Sequence, residues 1–214
     1  MAKQIDIGKE IGRGWQLFKG NMGLLILVNL LAGVLAIFTC GILAGAMMAG
    51  NFLIIQRLLK NDPVKPQVGD VFKGFEHFVN ALIYIIVMMV IAGVAGLIPV
   101  LNAIVGYVVG VFISIGVMFI AFGKMSFSDT LKKVFSEAAT GPFWMLVLTV
   151  ILANVIASLG MLACGIGVLF TAPLATCIAV CAYHAAYEGA DAEQPQTPPA
   201  APPLVDQTPP PPMA

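Results

Sequence analysis

The chain has 214 residues, of which 59% are hydrophobic and only 10% are charged. Soluble domains usually carry about 25% charged residues, so this composition excludes an ordinary water-soluble globule. The 11 Lys and Arg balance the 11 Asp and Glu, and the basic residues form no single dense face of the kind that binds nucleic acid.

The first 22 residues precede the first long apolar run and carry a basic amphipathic pattern. Apolar residues recur at helical spacing, and the basic ones lie mostly opposite: Ile5, Ile7, Ile11, Trp15, Phe18 and Met22 against Lys9, Arg13 and Lys19. This pattern is typical of a helix at the headgroup level. The alternative is a simple extension of the first span. No cleavable signal peptide is predicted, because an acid-containing segment comes first and the apolar run continues into a second span.

Three apolar stretches follow, and each is long enough for two spans of about 20 residues. They cover residues 23–59, 79–122 and 142–187, with turns expected at Cys40-Gly41, near Gly96 to Pro99 and near Gly160 to Gly165. The sequence therefore predicts an all-α integral membrane protein of six transmembrane helices in three hairpins.

The two connectors between hairpins, residues 60–78 and 123–141, are polar with amphipathic segments. In the first, Asp70 is expected to N-cap a helix that places Val71, Phe72, Phe75 and Phe78 on one face. In the second, Ser126-x-x-Asp129 is a capping-box signature.

The last segment, residues 188–214, is acidic and rich in proline. Nine of the 14 prolines lie in the last 26 residues, which predicts a disordered tail with polyproline II character. A solvated spacer is one interpretation, and a segment that docks in an aromatic groove of a partner is the other.

The first and third hairpins share a pattern, which indicates an internal repeat. Leu27-x-Asn29-x-x-Ala32-Gly33 followed by Cys40-Gly41-Ile42 matches Leu152-x-Asn154-x-x-Ala157-Ser158 followed by Cys164-Gly165-Ile166. The second hairpin keeps only Ile91-Ala92-Gly93-Val94. Because each unit has two spans, successive units enter the membrane from the same side, and the repeat is parallel.

The basic residues predict the orientation. All 11 lie at the N-terminus or around the two connectors, whereas the three expected turns carry no charge. By the positive-inside rule, both termini are expected in the cytoplasm, with the protein in the plasma (bacterial inner) membrane.

Asparagines within or near the spans are the main polar candidates. They are Asn29, Asn51, Asn102 and Asn154. They either line a polar path for a small solute or make hydrogen bonds between helices. Repeat symmetry favours the packing role for Asn29 and Asn154.

Four cysteines are too few for a disulfide scaffold. Cys177, Cys181 and His184 share a helical face and are weak candidates for a soft-metal site; a structural role is favoured. Cys40 and Cys164 occupy equivalent turns, so a disulfide between them is an open alternative.

Small residues and one proline are expected to shape helix packing. Gly41-x3-Gly45 and Gly106-x3-Gly110 permit close contact within the bundle or across a dimer interface. Pro173 lies inside the last span and is expected to kink it.

The segment Gly12-Arg-Gly-Trp15-Gln-Leu-Phe18-Lys-Gly-Asn21 and the closing Gly165-x-Gly167-x4-Thr171-x-Pro173 with Ala182-Tyr183 carry a family resemblance. They resemble uncharacterised bacterial six-span membrane families, including the membrane domain associated with glycerophosphodiester phosphodiesterases. The resemblance spans most of residues 10–187. It implies a six-helix membrane fold and no established activity.

Ionisable residues are missing from the middle of every expected span, as are paired catalytic groups. Ion-coupled pumps usually hold intramembrane charges, and intramembrane hydrolases need a nucleophile with a base, or a metal. We therefore expect a non-catalytic protein without a cofactor that scaffolds or modulates a membrane complex, with the bilayer, a second copy or other membrane proteins as partners. The alternative is an uncoupled permease or channel for a small polar or amphipathic solute.

Overall fold

A computed structural model describes residues 6–95, 102–162 and 167–188 of the chain. Within these ranges the protein is helical and has no strand. The α-helices are α1 (Ile7–Gly20), α2 (Met22–Phe38), α3 (Ala44–Leu59), α4 (Phe78–Ala95), α5 (Asn102–Gly123), α6 (Phe127–Glu137), α7 (Gly141–Leu162) and α8 (Val168–Tyr187), and a 3₁₀ helix, Val68–His77, precedes α4.

Several of these helices are long and apolar enough to cross a membrane. Four qualify alone: the 3₁₀ helix with α4, then α5, α7 and α8; the bent pair of α1 and α2 makes a fifth if it is one span. Helix α3 is apolar but has only 16 residues, below the roughly 20 that a span requires. The chain is therefore a multi-pass helical membrane protein with four to five candidate spans.

Helix α1 is set at 91° to α2, so it is not a straight extension of that helix. Its N-terminus is capped by Asp6, which accepts a hydrogen bond from the Lys9 amide at 3.2 Å. Phe18 of the expected apolar face is buried together with Leu17, whereas Trp15 is half exposed, so only part of that face packs against the protein. The packed face also includes Gly14, and α1 lies against α8 through it.

The N-terminal caps of the two connector helices form as short-range hydrogen bonds. Ser126 caps α6 as predicted, because its Oγ accepts from the Asp129 amide at 3.4 Å and donates to that carboxylate at 2.7 Å. The prediction for Asp70 is wrong. The 3₁₀ helix begins one turn earlier, with Gln67 as its N-cap, and Asp70 accepts a hydrogen bond from the Gln67 amide at 2.9 Å.

The face predicted for the first connector forms in part: Phe72, Phe75 and Phe78 lie on one side, whereas Val71 lies on the other. Phe72 and Phe75 are 47% and 39% exposed, and they stack on each other with centroids 6.1 Å apart. Val71, Gly74 and His77 are buried instead. A 3₁₀ helix has three residues per turn, so positions i and i+3 share a face. This spacing groups Phe72, Phe75 and Phe78 on one side and Val71, Gly74 and His77 on the other.

The main core lies among α3, α5, α7 and α8. Its largest buried side chains include Phe52, Ile115, Phe119, Phe143 and Tyr183. Residues 1–5, which include Ile5 of the expected amphipathic face, and residues 96–101, 163–166 and 189–214 lie outside the described ranges. These contain the expected turn at Gly96 to Pro99, most of the turn at Gly160 to Gly165 and nearly all of the predicted tail, so those expectations stay predictions.

Candidate functional site

A cavity of about 550 Å³ lies among α2, α3, α7 and α8, with one contribution from α5. Most of its lining residues are aliphatic or small, and the polar ones are Asn29, Asn51, Ser114, Asn154 and Thr176. None of the described lining residues is ionisable. A space of this volume falls within the range of about 300–1,000 Å³ that small-molecule sites occupy.

The cavity has a closed end and an open side. Phe52, Val150 and Ala179 line it and belong to the main core, so packed side chains close it in that direction. Val34 and Ile37 of α2 also line it, yet they are 41% and 79% exposed. The cavity is therefore open beside α2, near the turn at residues 39–43, through a rim of apolar side chains.

Two of the predicted asparagines pair across α2 and α3 at the wall of this cavity. Asn51 Nδ2 donates to Asn29 Oδ1 at 3.2 Å, and Asn29 Nδ2 donates to the Leu25 carbonyl at 2.9 Å. Asn51 is only 6% exposed, and its Oδ1 has no hydrogen-bond partner among the described residues. A buried polar atom without a partner costs free energy, about 1–3 kcal/mol in typical cases.

The other polar lining side chains donate back to their own helices. Asn154 Nδ2 donates to the Val150 carbonyl at 2.9 Å. The Ser114 and Thr176 hydroxyls donate to carbonyls four residues earlier, at 3.1 Å and 2.8 Å. Such bonds let a polar side chain sit in an apolar helix. Of the asparagines described, Asn29 and Asn51 make the inter-helix hydrogen bond expected of a packing role, whereas Asn154 bonds its own helix; all three line the cavity.

The remaining asparagine prediction lies partly outside the described region. Asn102 is the first residue of α5, and its side chain is not among those described. Sequence reasoning missed Ser114 and Thr176, because an isolated hydroxyl in an apolar helix gives no signal of the cavity that it faces. It also missed the Asn51–Asn29 pair, which forms only when α2 and α3 come together.

Cys177, Cys181 and His184 are all fully buried in α8. Both cysteines belong to the main core, and His184 Nδ1 lies 2.7 Å from Glu188 Oε2. Across the described part of the chain, no group of three or more His, Cys, Asp or Glu is placed to hold a metal ion. The arrangement is that of packed core residues.

The turn after α2 contains Cys40, which is exposed. Cys40 and Gly41 both adopt positive φ, 50° and 84°, and a tight turn favours glycine at such positions. Cys164 lies outside the described residues, so a disulfide with Cys40 stays a prediction.

Among the described residues, only one of the four predicted packing glycines makes a close helix contact. A Cβ on Gly45 would lie 2.8 Å from Ile85 and 3.2 Å from Ala81 of α4, whereas Gly41, Gly106 and Gly110 have no described neighbour within 4 Å of that position. The closest approaches are elsewhere, at Gly50 against Val71 and at Gly74 against Ala46. These pairs hold α3 against the 3₁₀ helix.

Pro173 lies within α8, as predicted, and is buried. It has no N–H to donate to the carbonyl of Leu169, four residues earlier. Leu169 is itself a lining residue of the cavity. The proline thus leaves a carbonyl without its usual helical donor beside the site.

Comparison with known proteins finds no matching family model, no matching curated protein and no matching solved structure. The resemblance of residues 10–187 to six-span bacterial families therefore stays a prediction.

Proposed function

We propose that this protein is non-catalytic and takes a small amphipathic solute from the bilayer into its cavity, as an uncoupled permease does. The observation that carries this is the cavity of about 550 Å³, whose mostly apolar wall includes a few polar side chains. Few, well-placed polar groups in an apolar pocket are typical of small-molecule sites. The absence of ionisable lining residues among those described favours passage without ion coupling.

The proposal includes a specific membrane arrangement. In it, α2 with α3, α4 with α5, and α7 with α8 form three hairpins, α1 lies at the interface, and both termini are cytoplasmic in the plasma membrane. The basic connectors and uncharged turns support this orientation. Helices α2 and α3, with 17 and 16 residues, are then short spans, and a locally thinned bilayer accommodates such spans at modest cost.

Occupancy of the cavity is testable with a tritiated octanol that bears a photoactivatable diazirine, in nanodiscs. We expect adducts on α2, α3 and α8 that excess unlabelled 1-octanol suppresses. Gly33 lines the cavity and has open space around it. Gly33→Trp should therefore fill the site and abolish the labelling that unlabelled 1-octanol suppresses. Gly23 lies on the same helix, away from the cavity, with similar open space, and Gly23→Trp is the matched control. Labelling that neither octanol nor Gly33→Trp reduces would refute the proposal.

Passage is tested separately in proteoliposomes with 1,2-hexanediol as the permeant. The wild-type protein and Gly23→Trp should speed the recovery of liposome volume, measured by stopped-flow light scattering, and Gly33→Trp should not. A wild-type rate equal to that of protein-free liposomes would remove transport from the proposal.

A scaffold that self-associates is the second candidate function. Gly106 and Gly110 are exposed on one side of α5, and apart from the helix's own backbone no atom of the described residues lies within 4 Å of the position that a Cβ would take on either. Small-residue faces of this kind let membrane helices approach closely. Light scattering of the protein in mild detergent and in nanodiscs should then show an oligomer that Gly106→Ile dissociates. A wild-type protein that stays monomeric in both, with no co-purifying protein, would rule this candidate out.

A further inference from the structure

We propose that the outward face of α1 binds anionic phospholipids at the cytoplasmic surface of the membrane. This inference goes beyond the cavity and its solute, and it shares with the proposed function only the interfacial position of α1. It rests on the side chains that remain exposed once α1 has packed against α8.

One face of α1 is covered by the protein. Phe18 is buried in the main core, and a Cβ on Gly14 would collide with Ile178 of α8. Glu10 is also buried, and its carboxylate lies 3.2 Å from the Arg13 guanidinium in an ion pair. Because α8 and the core occupy this face, it is the opposite face of α1 that is free to meet the membrane surface.

The opposite face carries an aromatic ring and two lysines. The exposed residues of α1 form one continuous arc of the helix, made of Gly8, Lys9, Gly12, Trp15, Gln16, Lys19 and Gly20. Trp15 is 50% exposed, and Lys19 follows it by one turn. Within the described part of the chain, neither Lys9 nor Lys19 is in a salt bridge. Their charges are therefore available to a partner.

An anionic headgroup complements this face in charge and in position. Helix α1 is set at 91° to α2, so it runs along the membrane surface if α2 crosses the bilayer. Tryptophan rings favour the headgroup level, and lysines near an anionic leaflet are attracted to it. The exposed carboxylate at this helix is Asp6, which accepts the Lys9 amide as the N-cap. The two lysines outweigh it, so phosphatidylglycerol fits better than zwitterionic phosphatidylcholine.

The test uses Trp15 as its own reporter. The chain has two tryptophans, so Trp144→Phe leaves Trp15 alone. Nanodiscs contain equal amounts of phosphatidylglycerol and phosphatidylcholine, with only one of them brominated near the headgroup end of its chains. Bromine quenches a tryptophan that it contacts. We expect phosphatidylglycerol to be enriched about fivefold at Trp15, the effect of one lysine at an anionic surface. The double substitution Lys9→Gln with Lys19→Gln should reduce this to about onefold.

The second tryptophan supplies the matched control. Trp15→Phe leaves Trp144 alone at the junction of α6 and α7, where its Nε1 donates to the Ala138 carbonyl at 2.9 Å. The double lysine substitution should leave the quenching of Trp144 unchanged. Raising the salt from about 0.1 M to about 1 M shortens the Debye length from about 10 Å to about 3 Å, so the enrichment at Trp15 should fall.

Equal quenching of Trp15 by the two lipids would overturn headgroup recognition and leave α1 at the membrane surface. If neither lipid quenches Trp15 but aqueous acrylamide does, the face meets water, and both the lipid partner and the interfacial position of α1 are wrong. Full enrichment in the double lysine variant would overturn the role given to Lys9 and Lys19. Labelling of the cavity by the photoactivatable octanol is measured separately, so these failures are distinct from failure of the proposed function.

Discussion

Gly50 of α3 and Gly74 of the 3₁₀ helix lie where two helix backbones touch. A Cβ on Gly50 would collide with the Val71 carbonyl, and one on Gly74 with the Ala46 carbonyl. Backbone atoms cannot move aside as a flexible side chain can, so even alanine is expected to destabilise the protein at these positions. The small-residue motifs Gly41-x3-Gly45 and Gly106-x3-Gly110 point to other glycines. Such a motif shows that a neighbouring helix can come close, but it does not identify that neighbour.

Gly50→Ala is therefore expected to lower the free energy of unfolding by about 1–3 kcal/mol, as overpacking does. Gly106→Ala provides the matched control, because Gly106 also lies within a helix but faces open space; it should change stability by less than about 0.5 kcal/mol. Unfolding in detergent by added SDS, followed by circular dichroism, measures both. Equal stability of the two variants would contradict the close contact of α3 with the 3₁₀ helix.

The elements of this chain are predictable from sequence to different degrees, for physical reasons. Apolar length alone places helices in the three hydrophobic stretches, and the Ser126 cap forms from residues three positions apart. The local pattern gives no signal of the 3₁₀ helix, whose period decides that Phe72 faces outward and Val71 inward. The Asn51–Asn29 hydrogen bond joins residues 22 positions apart. Such contacts depend on how helices pack, which local pattern does not specify.

A cluster of charges holds the end of α8 to the end of α3. Lys60 Nζ and His184 Nδ1 lie 2.9 Å and 2.7 Å from Glu188 Oε2, and Gln56 donates to Oε1 at 3.4 Å. Partial burial would raise the pKa of Glu188, but the hydrogen bond from Lys60 and the nearby His184 outweigh it and hold that pKa below its usual range.

A carboxylate with a depressed pKa stabilises the folded state above its unfolded pKa, near 4.3, and this contribution is lost as the pH falls through the folded value. Glu188 is about one-third exposed, so solvent limits the contribution to under about 1 kcal/mol. We expect Glu188→Gln to lower the melting temperature by a few degrees at pH 7 and to have little effect near pH 3. A scan of melting temperature against pH in detergent measures this. An effect that is equally large at pH 3 would show that charge is not its cause.

At the scale of the whole molecule, the distribution of charge predicts the orientation that the cavity takes in the membrane. Basic residues cluster at the N-terminus and in both connectors, and Cys40 and Gly41 lie in a turn without charge. A basic residue at the bilayer centre costs about 2.5–3.5 kcal/mol on insertion scales, and the bias in short loops sets orientation. The cavity lies in the half of the bundle near residues 39–43, so the proposed arrangement opens it in the outer half of the membrane.

Cysteine accessibility tests this orientation directly. In a background with the four native cysteines replaced, Lys65→Cys and Ser128→Cys each place one thiol at an exposed connector position. Both should resist a membrane-impermeant thiol reagent in intact cells and react once the cells are permeabilised, which controls for burial. Cys40, restored alone in its exposed turn, should react in intact cells, although a tight turn slows labelling; Cys164 restored alone is expected to behave in the same way. Ready labelling at 65 or 128 in sealed cells would overturn the arrangement with both termini inside, and with it the outward opening of the cavity.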